Sequence, residues 1–312
     1  MTRLFSILGR YALLLSLASL CLVLGILNPV FLSWSNLTNV FLQSSLNLII
    51  ALGMTFVIII GGIDLSVGSV VAVAGMTLGI FLNDGVKAPV AILCVVLLGA
   101  LCGGINGFVI AKWQVPAFVV TLGSMSAARG VALMLTGGRS VSGFSTSFLW
   151  LGNGSLAGFP FPAIIALALA ALCAFVLRAT VWGTYLYAIG GNSKAAWIFG
   201  IRVPLYQICV YVISGIVSAV AAVLLTSRLA AALPTAGTSY ELDAIAATVI
   251  GGASLSGGSG TIYGTVLGAI LIGVLRNGLS ILNVSSYVQQ ILIGTIIVAA
   301  VAIEQARRHH PE

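Results

Sequence analysis

The stretch VIIIGGIDLSVGSVVAVAGM, residues 57–76, places two adjacent glycines and an aspartate inside an otherwise apolar run. Gly61 and Gly62 are suited to ending a helix, because glycine adopts positive φ readily and has no side chain to block close backbone approach. Asp64 is a good N-cap residue for a following helix, since its carboxylate can accept hydrogen bonds from free N–H groups two or three residues later. The stretch predicts an apolar helix that stops and starts again.

Composition indicates an integral membrane protein. Hydrophobic residues make up 60% of the 312 positions and charged residues only 6%, whereas soluble proteins usually carry about 25% charged residues. Apolar blocks recur along the chain, each at least about 17 residues long and so able to cross a hydrocarbon core of about 30 Å as a helix. We predict an all-α, polytopic transmembrane helical bundle of about ten spans, forming a single domain over residues 1–312.

The basic residues between the spans predict the orientation of the bundle. The predicted spans lie near residues 11–27, 40–60, 63–82, 88–111, 115–136, 161–178, 205–227, 239–254, 260–282 and 286–303. Most loop arginines and lysines fall on one side if both termini are cytoplasmic, as the positive-inside rule requires. The net charge of +7 is dispersed rather than clustered with aromatic residues, so membrane lipid, and not nucleic acid, is the predicted partner of these cations.

A second copy of the opening motif indicates an internal duplication. IGGIDLSVGS (60–69) and IGGASLSGGS (250–259) share residues at matching offsets, within copies near 57–76 and 247–266. An even number of predicted spans separates them, so the repeat is parallel, and interrupted helices at matching positions often mark a transport pathway. The predicted pathway and helix-break residues are Gly61, Gly62, Asp64, Ser66, Gly251, Gly252, Ser254 and Ser256. Asp64 and Ser254 are predicted N-caps, and Asp64 could both cap and serve the pathway or a domain contact, since ionisable groups at membrane depth are often functional.

The lead-in to the second copy, PTAGTSYELDAIAATVIGG (234–252), predicts a half-helix. Thr238 and Glu241 have the spacing of a capping box. The helix that would follow, from Ser239 to Ile250, spans only about 18 Å and is too short to cross a bilayer. We expect it to enter from the outer face, with Glu241 and Asp243 either as acids that stabilise the helix start or as candidates for an outer gate.

The sequence predicts no catalytic residues and no metal ligands. It lacks the GxxxxGK[ST] motif that cradles nucleotide phosphates, so the chain is not expected to hydrolyse ATP itself. Its two histidines, His309 and His310, lie in the polar tail without cysteine or acidic companions at ligand spacing.

The segment at residues 179–204 differs from the spans around it and is cytoplasmic in the predicted topology. Within it, SKAAWIFG reads as a short amphipathic helix capped by Asn192 or Ser193, with Lys194 facing water and Trp197 among its apolar residues. From these residues alone, the helix could lie at the membrane interface or dock a soluble partner.

Four ordered motifs resemble the permease subunits of bacterial ATP-binding-cassette monosaccharide importers, the ribose-type branch. They are GGIDLSVGS, AIGGNSKAAWIFGI, ALPTAGTSYELDAIAATVIGGASLSGGSGTIYGTVLGA and NGLSILNVSSYVQQILIG. The resemblance implies a bacterial inner-membrane protein with a second permease copy, a separate ATPase subunit that uses ATP and Mg, and a periplasmic sugar-binding protein. No cofactor is expected on this chain.

The resemblance also implies that the short cytoplasmic helix couples the permease to the ATPase. The coupling residues would be Asn192, Ser193, Lys194, Ala195, Ala196, Trp197, Gly200 and Ile201. The family usually has an acidic residue after the Asn, whereas this chain has Ser193-Lys194, which points to a dedicated ATPase. The alternative function is an ion-coupled secondary transporter without an ATPase, which would use Asp64, Glu241 and Asp243 as coupling acids.

Overall fold

The computed structural model describes the backbone of residues 2–309 and the side chains of residues 13–296, 298–299 and 301–302. Over this range the chain is a helical bundle with almost no sheet, which confirms the predicted all-α membrane fold. The helices are α1 (Thr2–Leu27), α2 (Trp34–Ile59), α3 (Val67–Asn83), α4 (Ala88–Trp113), α5 (Ala117–Met134), α6 (Thr146–Asn153), α7 (Phe161–Ala179), α8 (Val181–Gly191), α9 (Ser193–Ile198), α10 (Val203–Leu229), α11 (Tyr240–Ile250), α12 (Ile262–Ile281) and α13 (Ser286–His309).

Short extended segments join the connections at one end of the bundle. A 3-10 helix, Pro29–Leu32, links α1 to α2. Strand β1 (Val141–Ser142) pairs antiparallel with β4 (Ala231–Ala232), and β2 (Ser155–Leu156) pairs with β3 (Phe159–Pro160). We call this end, which also carries α6, the strand end.

The opposite end of the bundle carries α8 and α9, and we call it the α9 end. The α4–α5 connection lies there too, because Gln114 and Val115 line a cavity shared with Trp197. Successive long helices alternate between the two ends, so that α4 ends and α10 begins at the α9 end. Both helix breaks also turn at this end, after α2 and after α11.

Six helices within the described residues are long and apolar enough to cross a membrane: α2, α4, α5, α7, α10 and α12. The apolar part of α1 and the whole of α3 are shorter apolar helices. The element predicted at 239–254 is the 11-residue α11, which is too short to span. On α4, Leu93, Leu97 and Leu101 recur every fourth residue and are exposed, as expected of a face in contact with lipid.

The centre of the bundle is built on close contact between α4 and α10. A methyl group added at Gly103 would overlap the carbonyl oxygen of Tyr211, and one at Gly99 would overlap that of Gly215. Apolar helices do not gain from the hydrophobic effect in lipid, so small residues are needed to let two backbones approach. The glycine-x-x-x-glycine series of α4 is therefore used for packing within the chain.

Polar pairs hold α2 against α12, two helices that belong to different copies of the predicted repeat. The side-chain amides of Asn36 and Asn277 exchange two hydrogen bonds of 2.9 Å, and the hydroxyls of Thr55 and Thr265 lie 2.7 Å apart. All four side chains are buried. Because the two pairs lie at different points along the helices, they fix the register of α2 against α12.

Substitution of Gly103 by alanine should destabilise the bundle, because the new methyl group would overlap the backbone of α10. Overpacking of this kind usually costs about 1–3 kcal/mol. Gly104→Ala is the matched control, since a methyl group there makes an ordinary contact of 3.5 Å with Val212. Thermal unfolding in detergent should show a lower midpoint for G103A than for G104A; equal midpoints would contradict the packing account.

Candidate functional site

The first helix break lies between α2 and α3. The chain turns at Gly61, where φ is 79°, and Gly62 passes so close to the Tyr211 hydroxyl that a side chain would not fit. Helix α3 starts at Val67, and Ser66, the residue before it, makes no side-chain capping bond. The interruption is therefore present, but the prediction that Asp64 is the N-cap of the new helix is wrong.

Asp64 instead organises the loop between the two helices. Its Oδ1 accepts hydrogen bonds from the Ser66 backbone N–H at 3.0 Å and from the Ser66 hydroxyl at 2.6 Å. Its Oδ2 accepts from the hydroxyl of Ser214 on α10 at 2.7 Å. The side chain is 1% exposed. Buried polar groups require partners, and this carboxylate obtains three hydroxyl or amide donors without any lysine or arginine.

The network extends from Ser66 to α4 and α5. The Asn106 amide donates to the Ser66 hydroxyl at 3.0 Å, and the Ser124 hydroxyl donates to the Asn106 carbonyl oxygen. The Thr121 hydroxyl donates to the Ile63 carbonyl at 3.2 Å. The break loop is thus fastened to three helices. Neither Asn106 nor Ser214 could be assigned to this network from the sequence, since nothing in the local pattern links them to Asp64.

The second break lies between α11 and α12 and begins, like the first, with a Gly-Gly turn and a side chain that accepts a hydrogen bond from the N–H two residues later. Gly251 ends the helix and Gly252 turns with φ 90°. Ser254 accepts a hydrogen bond from the Ser256 N–H at 3.2 Å, matching the Asp64–Ser66 contact of the first copy. Helix α12 is capped by Thr261, whose hydroxyl accepts from the Gly264 N–H at 3.0 Å. The prediction that Ser254 is an N-cap is therefore wrong.

The two breaks meet each other. The Gly258 N–H donates a 2.9 Å hydrogen bond to the Ile59 carbonyl at the end of α2. A methyl group on Gly61 would lie 3.5 Å from the carbonyl oxygen of Ser256. In each copy the incoming helix runs toward the α9 end and the outgoing helix returns, so both breaks have the same direction. Of the predicted pathway residues, Gly61 and Ser256 are therefore brought together, and the role of the whole set in transport stays a prediction.

Helix α11 begins inside the bundle rather than at its outer face. Ser239, which precedes it, has φ 67° and makes no side-chain capping bond, and the Thr238 hydroxyl bonds to the Thr235 carbonyl. The predicted Thr238–Glu241 capping box is therefore wrong. The Glu241 carboxylate lies beside Gly68 in the first turn of α3, and at 1.5 Å per residue this is about 22 Å along α3 from its strand end.

Two arginines hold the start of α11 in place. The Arg129 guanidinium on α5 donates to the carbonyls of Pro234 and Ala236 at 2.9 and 2.8 Å. Arg276 on α12 forms a 2.7 Å ion pair with Asp243, which is almost fully buried. Asp243 thus has a structural partner, and the proposed gate role of Glu241 and Asp243 stays a prediction.

Helix α9 forms a short exposed helix at the end of the bundle. Asn192 caps it, accepting a 3.0 Å hydrogen bond from the Ala195 N–H, and Gly200 ends it with φ 85°. Ala196 packs inward, whereas three consecutive large apolar side chains face out: Trp197, Ile198 and Phe199 are 69%, 74% and 85% exposed. A cavity of about 710 Å³ beside them is lined by Ser193, Lys194, Trp197 and the α4–α5 connection.

Comparison with known proteins identifies the family. Residues 36–301 match the family described as "Branched-chain amino acid transport system / permease component". The chain belongs to this family. The ribose import permease protein of Haemophilus influenzae is 44% identical over 92% of this chain and 90% of its own length. The D-allose and L-arabinose transport system permease proteins of Escherichia coli are 38% and 36% identical, each over at least 95% of this chain and 91% of its own length. No solved structure matches the chain.

These relatives confirm the resemblance to monosaccharide permeases of ATP-binding-cassette importers. They are named as permease components, so the chain is a transport subunit and not an enzyme. It is a multi-pass protein of the cell membrane, and permeases of this family work with ATPase and substrate-binding partners. The match spans both helix breaks and α9, so all parts of the candidate site lie in the shared region.

Replacement of Asp64 by leucine should destabilise the permease far more than replacement by asparagine. Asparagine keeps an acceptor for the Ser66 N–H, and the Ser214 hydroxyl can rotate to accept from the new amide. Leucine leaves those donors unpaired in the core, at about 1–3 kcal/mol each. Thermal unfolding in detergent should place D64N near the unsubstituted protein and D64L well below it. A D64L midpoint equal to that of D64N would show that the hydrogen bonds contribute little.

Proposed function

We propose that the chain is the membrane-spanning permease subunit of an ATP-driven importer for a monosaccharide or a related polyol, working by alternating access. The family description names branched-chain amino acids. The relatives at 36–44% identity over nearly the whole chain are instead named for ribose, allose and arabinose. Full-length similarity at this level favours a sugar over an amino acid as the substrate.

The exposed apolar surface of α9 is the observation that best supports coupling to an ATPase. Trp197, Ile198 and Phe199 present three large side chains to the outside of the bundle, at a helix of only 6 residues. Apolar side chains grouped in this way are typical of a protein interface, where aromatic residues dominate the contact. We assign the surface to the ATPase, with Lys194 and the neighbouring cavity at its edge.

The remaining partners follow from this assignment. A separate ATPase subunit would bind ATP and Mg, and this chain would hold no cofactor. A periplasmic sugar-binding protein would deliver the substrate at the strand end. A second, identical permease would complete the pathway, with the sugar passing between the two chains. Few sugar-specific hydrogen bonds are needed on the permease itself, because affinity can reside in the binding protein.

We assign the α9 end to the cytoplasm of a bacterial cell. Alternation of the long helices would bring both termini to this end, in agreement with the positive-inside pattern. The positive residues in or beside connections at the α9 end are Lys112, Arg178, Lys194 and Arg202, and Arg3, Arg10, Arg307 and Arg308 of the terminal helices would add to them, whereas those at the strand end are Lys87, Arg139 and Arg228. The asymmetry in positive charge supports this orientation.

Trp197→Asp should abolish binding of the ATPase while leaving the permease folded, because the side chain is 69% exposed and its replacement adds a charge to an apolar surface. The control is Trp34→Asp, at a tryptophan that is 60% exposed at the strand end. Tagged permease would be purified from native membranes, followed by an ATPase assay of the copurified proteins. Loss of the ATPase with W197D but not with W34D is the expected result.

Two outcomes would contradict the proposal. Retention of the ATPase by W197D would remove α9 from the interface. Purification of the permease alone, with substrate uptake into liposomes under an ion gradient, would instead favour the secondary transporter, with Asp64, Glu241 and Asp243 as its coupling acids.

A further inference from the structure

Helix α8, which leads directly into α9, contacts both helix breaks through its last turn. The Gly190 backbone lies against the end of α2, and a methyl group added there would overlap the Ile59 carbonyl oxygen and the Gly258 nitrogen. Those same two atoms form the hydrogen bond that joins the two breaks. The segment before α9 is thus packed onto the one point where both copies of the repeat meet.

Glycine on each of the three segments makes this contact possible. A methyl group on Gly257 would lie 2.8 Å from the Gly190 carbonyl oxygen and 2.9 Å from the Gly61 nitrogen. Gly257 and Gly258 also have φ of 86° and 75°, which other residues adopt with strain. Three backbones therefore touch without intervening side chains, and a shift of one must displace the others, because packed interiors deform little.

A side-chain hydrogen bond runs parallel to this backbone contact. The Tyr187 hydroxyl, one turn earlier on α8, donates to the Gly260 carbonyl at 2.8 Å, just before α12. Burial raises the pKa of this hydroxyl above its ordinary value, and the positive charge of Arg178 opposes the shift. The hydroxyl remains protonated at physiological pH and can serve as a donor. Gly260 itself precedes Thr261, the N-cap of α12.

We propose that Gly190 and Tyr187 are positioning residues that transmit movement of α9 to the two helix breaks, and we call their contacts with Ile59, Gly258 and Gly260 the glycine joint. The proposal rests on the proposed function, since the movement would come from the ATPase bound at α9. Gly190 transmits displacement by backbone contact to both breaks together, and Tyr187 ties the same helix to the start of α12.

The glycine joint lies between a hydrogen-bonded loop on one side and a glycine-rich connection on the other. On one side of it, Asp64 fastens the start of α3 to α10, and Asn106 extends that connection to α4. On the other side, the α11–α12 connection contains four glycines with positive φ, at positions 252, 257, 258 and 260, which can absorb rotation.

The test compares two neighbouring glycines of α8. A methyl group at Gly190 overlaps the joint, whereas one at Gly191 meets nothing within 4 Å. Both substitutions change helix propensity in the same way, so their difference isolates the joint. Each variant would be reconstituted in liposomes with the ATPase and binding protein that copurify with it, and sugar uptake would be measured together with ATP hydrolysis.

G190A should bind the ATPase normally but lose uptake per ATP hydrolysed by at least about fivefold, the lower end of the range for coupling between two sites. G191A should match the unsubstituted protein. Tyr187→Phe, which removes only the hydroxyl, should lower the same ratio while leaving ATPase binding unchanged. It is the deciding variant if G190A fails to fold.

The outcomes separate this inference from the proposed function. If no ATPase copurifies with the unsubstituted chain, the proposed function fails. If the ATPase copurifies and drives uptake, but G190A and Y187F both transport as well as G191A, the proposed function stands and the glycine joint is wrong. A general loss of both hydrolysis and uptake in Y187F, with a lowered unfolding midpoint, would show a merely structural role and would also overturn the inference.

Discussion

A helix that breaks within a bilayer frees backbone N–H and C=O groups that lipid cannot hydrogen-bond, and the rest of this structure depends on how the protein supplies the missing partners. At the first break, Asp64 accepts the Ser66 N–H, and the Ile59 carbonyl accepts from Gly258 of the second break. Each interruption is thus stabilised partly by the other. The two helix breaks must therefore be assembled together for these backbone groups to be paired.

The lipid environment also explains why backbones approach each other closely at glycines. The pairs Gly103–Tyr211 and Gly68–Gly237 bring helices or loops into backbone contact. In water such contacts would be supplemented by hydrophobic burial, but in lipid they provide the packing itself. Small residues are therefore concentrated where backbones touch, and large side chains of α4 face the lipid.

Charge inside the bundle is used to hold irregular backbone. Arg129 binds the carbonyls that precede α11, Arg276 pairs with Asp243, and Asp64 gathers hydroxyl groups from two elements. Irregular segments at membrane depth are tolerated when they are buried in protein, and these side chains meet that requirement. The large apolar side chains of α9 lie outside the bundle, and we propose that a second protein covers them.

The class of the protein, most of its helices and both helix breaks could be predicted from the amino-acid sequence alone. Apolar blocks and loop charges suffice for this, since each reflects the local cost of exposing residues to lipid or water, and the Gly-Gly pairs act through their own backbone freedom. The sequence also indicated α9 and narrowed its N-cap to Asn192 or Ser193, of which Asn192 is the cap. The predicted capping roles of Asp64, Thr238 and Ser254 were wrong, because these side chains form hydrogen bonds within the loops and the helices begin further along the chain, at Val67, Tyr240 and Ile262. Three features could not be predicted from the sequence: Ser214 binds Asp64, α11 starts inside the bundle, and Gly190 touches both breaks. Each of them depends on residues that are far apart in the chain and are brought together by the packing of the helices.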